Sequence, residues 1–207
     1  MLFPTFQALD VFGPIDALNL LSHSRQLNLS IISSTLDPVP TGLRPALNKF
    51  NSNFSQSIIP THDFSTVPPL DVLIIPGGFG VRYEDLQPTI DFVKKIYPSL
   101  KYIFTICTGS WIAARAGILQ GKRATSNKAG WAETKKLGED VHWVPHARWV
   151  VDGNIWTSSG VSAGIDAILA FIGEVYGKDV AEEIANVMEY ERHQDASWDP
   201  FAELHNL

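Results

Sequence analysis

Short apolar runs alternate with longer amphipathic stretches along this chain, and that alternation predicts strands and helices in turn. Residues 29–33 (Leu-Ser-Ile-Ile-Ser) read as a short β-branched strand and residues 71–75 (Asp-Val-Leu-Ile-Ile) as a stronger one. The run 101–106 (Lys-Tyr-Ile-Phe-Thr-Ile) has the continuous apolar character of a buried parallel strand. A short segment follows at 124–126. The runs 149–151 and 154–157 are joined at Asp152-Gly153, a strong hairpin signal. Helices are predicted between these strands. Residues 14–22 open with Pro14 at a first helical position, where its missing N–H costs nothing. Residues 84–97 place Leu86, Ile90, Phe92 and Val93 near one face. Residues 108–117 have a small-residue first turn and a Gly stop, and 131–137 are short. Residues 163–176 are apolar on nearly every side, which predicts burial, and 179–190 open on Asp179 as an N-cap.

The stretch 34–69, rich in Pro, Ser, Thr and Asn, reads as a long connection with a small β excursion. A doubly wound, mostly parallel α/β sheet accounts for the whole pattern. Its first strand is truncated, because only Met1-Leu2-Phe3 precede Pro4. We expect a single domain over 1–207, with 190–207 as a C-terminal tail that wraps either its own subunit or a partner.

Composition narrows the function classes. With 207 residues, 45% of them hydrophobic and 18% charged, the chain can bury a full core and is not a disordered segment. A net charge of −6 leaves no basic surplus to track a phosphate backbone, so nucleic acid is not an expected partner. No apolar run approaches the roughly 18 residues of a membrane span, and no signal-peptide pattern opens the chain. No membrane partner is expected, and the expected location is cytoplasmic. One cysteine excludes an internal disulfide. His23, His62, His142, His146, His193 and His205 show no metal-ligand spacing. The pair His142 and His146 is interrupted by Pro145, so no metal is expected.

The single cysteine is the centre of the candidate chemistry. A lone Cys is either a small buried hydrophobe or a reactive thiol. Cys107 stands at the corner between a predicted strand and a predicted helix, at the carboxyl edge of the sheet where α/β folds bind ligands. A helix N-terminus favours a thiolate, and Ile106-Cys107-Thr108-Gly109-Ser110 has the layout of a nucleophile elbow. Position therefore favours the reactive reading. Asp10, an acid among apolar residues before Gly13-Pro14, serves as a helix cap, as a proton-transfer partner, or as both. Pro76-Gly77-Gly78-Phe79-Gly80 lets backbone N–H groups approach a ligand and form an oxyanion nest. It has neither the spacing of a dinucleotide site nor the Lys-Ser/Thr of a phosphate loop.

Four blocks carry a resemblance to the DJ-1/PfpI superfamily, the class I glutamine-amidotransferase-like group, along nearly the whole chain. They are Phe3-Pro4 through Gly13-Pro14, Val72 through Gly78, Ile106 through Ser110 with Ala116-Gly117-Ile118-Leu119, and Thr157 through Asp166. Within that group the chain is most similar to the isocyanide hydratase branch and related fungal-type proteins. The resemblance implies a flavodoxin-like sandwich with helices on both faces, a homodimer, and a cysteine nucleophile that works without a cofactor. It places Cys107 as that nucleophile and Asp10 as the acid beside it, where the glyoxalase-like branch carries Glu. Gly78, Phe79 and the following N–H groups match the anion-stabilising turn, and Thr108 the residue after the nucleophile. Ser159, Gly160 and Val161 match a loop facing the cysteine.

The chain also departs from the pattern. Its first strand is shorter, and Asn127 stands in Thr125-Ser126-Asn127-Lys128 where the hydratase branch often has His. Thr108 replaces the His that follows the cysteine in protease-like members, which argues against proteolysis. The leading expectation is an enzyme adding water to a small electrophilic carbon substrate. Glyoxalase-like action on 2-oxoaldehydes and a non-enzymatic redox sensor are the alternatives.

Overall fold

The computed structural model describes residues 1–138 and 140–207. Helix α1 (Ala8–Ser22) comes first, followed by four two-residue strands: β1 (Ile32–Ser33), β2 (Val39–Pro40), β3 (Ser57–Ile58) and β4 (His62–Asp63). Then come β5 (Val72–Ile75), α2 (Gln87–Ile96), β6 (Tyr102–Thr105), α3 (Gly109–Arg115), β7 (Arg123–Ala124), α4 (Trp131–Thr134) and β8 (His142–Trp143). The chain closes with the hairpin β9 (Trp149–Asp152) and β10 (Ile155–Ser158), then α5 (Ala163–Tyr176), α6 (Lys178–Val187) and α7 (Pro200–Leu204).

The central sheet has the order β5-β6-β10-β9; the first three strands run parallel and β9 is an antiparallel edge. A second parallel pair, β1 with β4, is connected to it by the chain start. The Met1 nitrogen donates to Ile74 O at 2.9 Å and Leu2 N to Ile32 O at 2.6 Å, so residues 1–3 bridge β5 and β1 without forming a full strand. Successive side chains of a strand leave on opposite faces, and β6 divides the core accordingly. Ile103 joins Ile75, Ile112 and Leu119 on the side of α2 and α3. Phe104 joins Leu21, Ile168 and Ile172 on the side of α1, α5 and α6. Each fully buried aliphatic side chain of this kind contributes about 1.5–3 kcal/mol. Phe104 also stacks on Trp156 at 5.9 Å and meets Phe171 edge-on at 6.1 Å, pairings worth about 0.5–1.5 kcal/mol beyond area burial. The result is the expected mixed α/β architecture with helices on both faces.

Several expectations need correction. Helix α1 begins at Ala8 rather than Pro14, and Pro14 lies in its interior. Pro14 is buried with Gly13, Ala17 and Leu21, so packing outweighs the lost backbone hydrogen bond and the local start signal fails. Helix α6 starts at Lys178 behind Gly177, leaving Asp179 inside the first turn rather than at the N-cap. The 29–33 strand shrinks to two residues because Leu29 faces solvent. The β9–β10 turn is made by Gly153-Asn154, since Asp152 pairs with Ile155. Strand β8, parallel to β7, was not legible; two residues carry no periodicity. The β excursion in 34–69 is present as the antiparallel pair β2–β3.

Candidate functional site

Three segments converge at the carboxyl edge of the sheet: the start of α1, the turn after β5, and the elbow between β6 and α3. Cys107 occupies the elbow with φ at +57°, a left-handed conformation that a non-glycine residue holds at a cost of about 1–3 kcal/mol. Its surroundings fix that conformation. Cys107 N donates to Ser159 O at 3.0 Å, and Cys107 O accepts from Ser110 Oγ and Ser126 Oγ, each at 3.2 Å. Gly77 lets the neighbouring turn approach. A Cβ there would stand 2.6 Å from Thr108 N and 2.9 Å from Cys107 Cβ.

Asp10 is not the cap of α1. The N-cap is Gln7, which makes no side-chain cap bond, and Asp10 sits in the first turn with its carboxyl turned inward at 0% exposure. Oδ2 accepts from Gly77 N at 2.8 Å, while Oδ1 has no partner among the described residues. An unpartnered carboxyl oxygen in a dry site is costly, and the group responds by keeping its proton. Burial raises the Asp10 pKa to about 7, against the opposing pull of the Gly77 N–H.

The thiol responds in the same direction. With Cys107 only 7% exposed, burial pushes it up to about 12, and the charge of Asp10 adds to that rise. The Thr108 N–H, the Val161 N–H and the Asn127 amide pull the other way, because each favours the charged sulfur. The helix N-terminus that favours a thiolate is thus opposed by burial, the larger of the two influences on the sulfur at the start of this seven-residue helix.

The other candidate residues are placed as follows. Thr108 Oγ1 accepts from Gly78 N at 3.1 Å, so that N–H is engaged within the turn. Phe79 is 42% exposed, its ring edge-on to Tyr83. Ser159 is buried and holds the Cys107 N–H through its carbonyl, while its own N–H donates to Arg148 O at 2.8 Å. Gly160 packs against Asn127; a Cβ there would stand 2.8 Å from Asn127 Nδ2. Val161 faces the sulfur with its backbone N–H. Asn127, noted in the sequence only as a departure from a pattern, is thus a neighbour of the thiol, and its Oδ1 accepts from Gly130 N at 3.2 Å. Ser126 and Lys128 flank it and carried no sequence signal. Among the described residues, no group of three His, Cys, Asp or Glu side chains is arranged to hold a metal ion. No helix there is long and apolar enough to cross a membrane.

Comparison with known proteins gives this geometry a context. A family model described as the DJ-1/PfpI family matches residues 1–174. The chain is 36% identical over 193 residues to an isonitrile hydratase of Pseudomonas putida, covering 92% of this chain and 76% of that protein. It is 35% identical over 107 residues to a deglycase of Pyrococcus abyssi, covering 50% of this chain and 62% of the relative. Among solved structures, a ThiJ/PfpI family protein from Pseudomonas syringae superposes with a TM-score of 0.72 at 29% identity, covering 93% of this chain and 74% of that one.

Proposed function

This chain belongs to the DJ-1/PfpI family, and from that premise we propose that it is a cofactor-independent, cysteine-dependent enzyme that hydrates isonitriles. One observation carries the reading. The lone cysteine sits in a strained elbow beside a buried carboxyl, one oxygen of which has no partner among the described residues. Similarity to the Pseudomonas putida isonitrile hydratase along most of the chain supports the substrate class.

The two raised pKa values define the proton path. As the sulfur attacks the terminal isonitrile carbon, an S–C bond forms and the thiol proton passes to the Asp10 carboxylate, which delivers it to that carbon. The product is a thioimidate, R–N=CH–S. Water then adds across C=N, the C–S bond breaks with the proton returning to sulfur, and an N-substituted formamide leaves. Atoms balance as isonitrile plus water. The Thr108 and Val161 N–H groups and the Asn127 amide stabilise the sulfur as negative charge develops on it. The dry site makes each of them count for more than it would in water.

A second reading, attack on a 2-oxoaldehyde through a hemithioacetal, is supported by the similarity to the Pyrococcus abyssi deglycase over half of the chain. The burial of Cys107 and its raised pKa speak against a peroxide sensor, which needs an accessible thiolate. The reading also carries a homodimer, for which the exposed Leu9 and Phe12 of α1 offer apolar surface next to Asp10. The decisive assay is product identity with wild type and Cys107→Ala. Formamide from an isonitrile, lost completely in the variant, is the expected result. Lactate from methylglyoxal without formamide would transfer the site to the second reading, and an active Cys107→Ala would end the covalent mechanism.

A further inference from the structure

Lys128 is a buried charge that the mechanism does not use. Lys128 is 3% exposed, and its ammonium donates to Thr125 Oγ1 at 2.7 Å, Ser126 O at 3.1 Å and Ala147 O at 3.0 Å. Its one ionic partner among the described residues is Asp199, 3.2 Å away, whose side chain is equally withdrawn from solvent. Asp199 belongs to the C-terminal segment, where its Oδ1 caps α7 by accepting from Phe201 N at 3.0 Å. A buried ion pair seldom stabilises a fold better than apolar side chains of the same volume, and here Asp199 Oδ2 makes no hydrogen bond among the described residues, so the pair is better suited to fixing register than to adding stability.

What it fixes lies against the nucleophile. Two of the three acceptors of Lys128 are in residues 125–126. Ser126 Oγ donates to Cys107 O, and Asn127, between Ser126 and Lys128, faces the thiol. We propose that the Lys128–Asp199 pair is a positioning device for the thiol site, clamping the C-terminal segment onto the 125–128 loop so that Ser126 and Asn127 are held against Cys107. The inference rests on Cys107 being the nucleophile. Neither residue touches the reacting atoms; both act through the loop.

The test is the double variant Lys128→Met/Asp199→Leu, which removes both charges together while keeping apolar volume, so that neither charge is left buried without its counter-charge. Iodoacetamide alkylation of Cys107 is followed against pH, alongside thermal unfolding and kcat and KM for an isonitrile. A loosened Asn127 amide should raise the thiol pKa by about one unit, making alkylation at pH 8 about tenfold slower. The fall in activity should appear in kcat more than in KM. Asp199→Asn, which keeps the shape and loses the charge, should lie between the two. Val93→Ala, a truncation on α2 in the core cluster that does not contain Cys107, should lower the unfolding temperature without moving the alkylation profile. A folded double variant with an unchanged profile overturns the proposal. Alkylation reads the sulfur whatever the substrate is, so the two readings separate. Slower alkylation with no wild-type turnover keeps the clamp and removes the isonitrile assignment. Wild-type turnover with an unchanged variant profile does the reverse.

Discussion

Asp10 and Asp166 are both withdrawn from solvent, and the chain treats them in opposite ways. Asp166, on α5, receives Arg148 Nε at 2.7 Å, Tyr190 Oη at 3.1 Å and His193 N at 2.9 Å, and forms an ion pair with Arg148 Nη2 at 2.6 Å. Asp10, in the first turn of α1, receives one backbone N–H and leaves its second oxygen without a partner among the described residues. The first arrangement meets the hydrogen-bonding capacity of both carboxyl oxygens and staples the segment after α6 to the body of the protein. The second destabilises the ionised form and leaves a group ready to take and return a proton. Burial alone therefore does not mark a functional acid; an unmet hydrogen-bonding capacity beside a nucleophile does.

The comparison can be broken most severely at the kinetic end. Asp10→Asn keeps the shape and the Gly77 hydrogen bond but cannot carry a proton, and kcat for the isonitrile should fall roughly 10²–10⁴-fold. An unchanged kcat would make Asp10 as structural as Asp166. The converse change, Asp166→Ala, leaves Arg148 buried without its charge partner and should cost about 3–5 kcal/mol of stability. In a chain of this size that is a drop of about 2–4 °C in unfolding temperature per kcal/mol.

A smaller effect sharpens the contrast through pH. The Asp10 pKa rises from 3.8 unfolded to about 7 folded. Its contribution to stability is fully present below the unfolded value and is lost as pH climbs toward the folded one. Wild type should accordingly lose stability relative to Asp10→Asn between about pH 4 and pH 7, by ~2 kcal/mol once relaxation of the site is allowed for. Thermal melts of both proteins at pH 5 and pH 8 check this. Parallel melts at both pH values would mean that Asp10 is ionised at no cost.

Much of the architecture was legible because long apolar runs have few ways to be buried. The strands at 71–75 and 101–106, the hairpin and the helix at 163–176 all follow from periodicity and from a turn signal. The start of α1 did not, because burial of Pro14 is a tertiary fact that reverses a local rule. At the site, Cys107 and Asp10 stood out by residue type and by position. The state of the thiol did not, since desolvation depends on what closes over the corner, and that comes from residues 126–127 and 159–161, distant in sequence. Nothing in the sequence marks Lys128 and Asp199, 71 positions apart, as a pair; the fold brings them together in the interior. The C-terminal segment, an open choice in the sequence, packs on its own subunit through Arg148 N donating to Ala196 O at 2.7 Å and through Asp166 accepting from His193 N.

The coupling between Cys107 and Asp10 is the central claim, and the pH dependence of Cys107 alkylation in wild type and in Asp10→Asn tests it most directly. The wild-type thiol should titrate well above the free-thiol value of about 8.5. Removing the Asp10 charge should bring it down and speed alkylation at pH 9. A wild-type thiol that titrates at or below the free value, or one that Asp10→Asn leaves unmoved, would contradict the account.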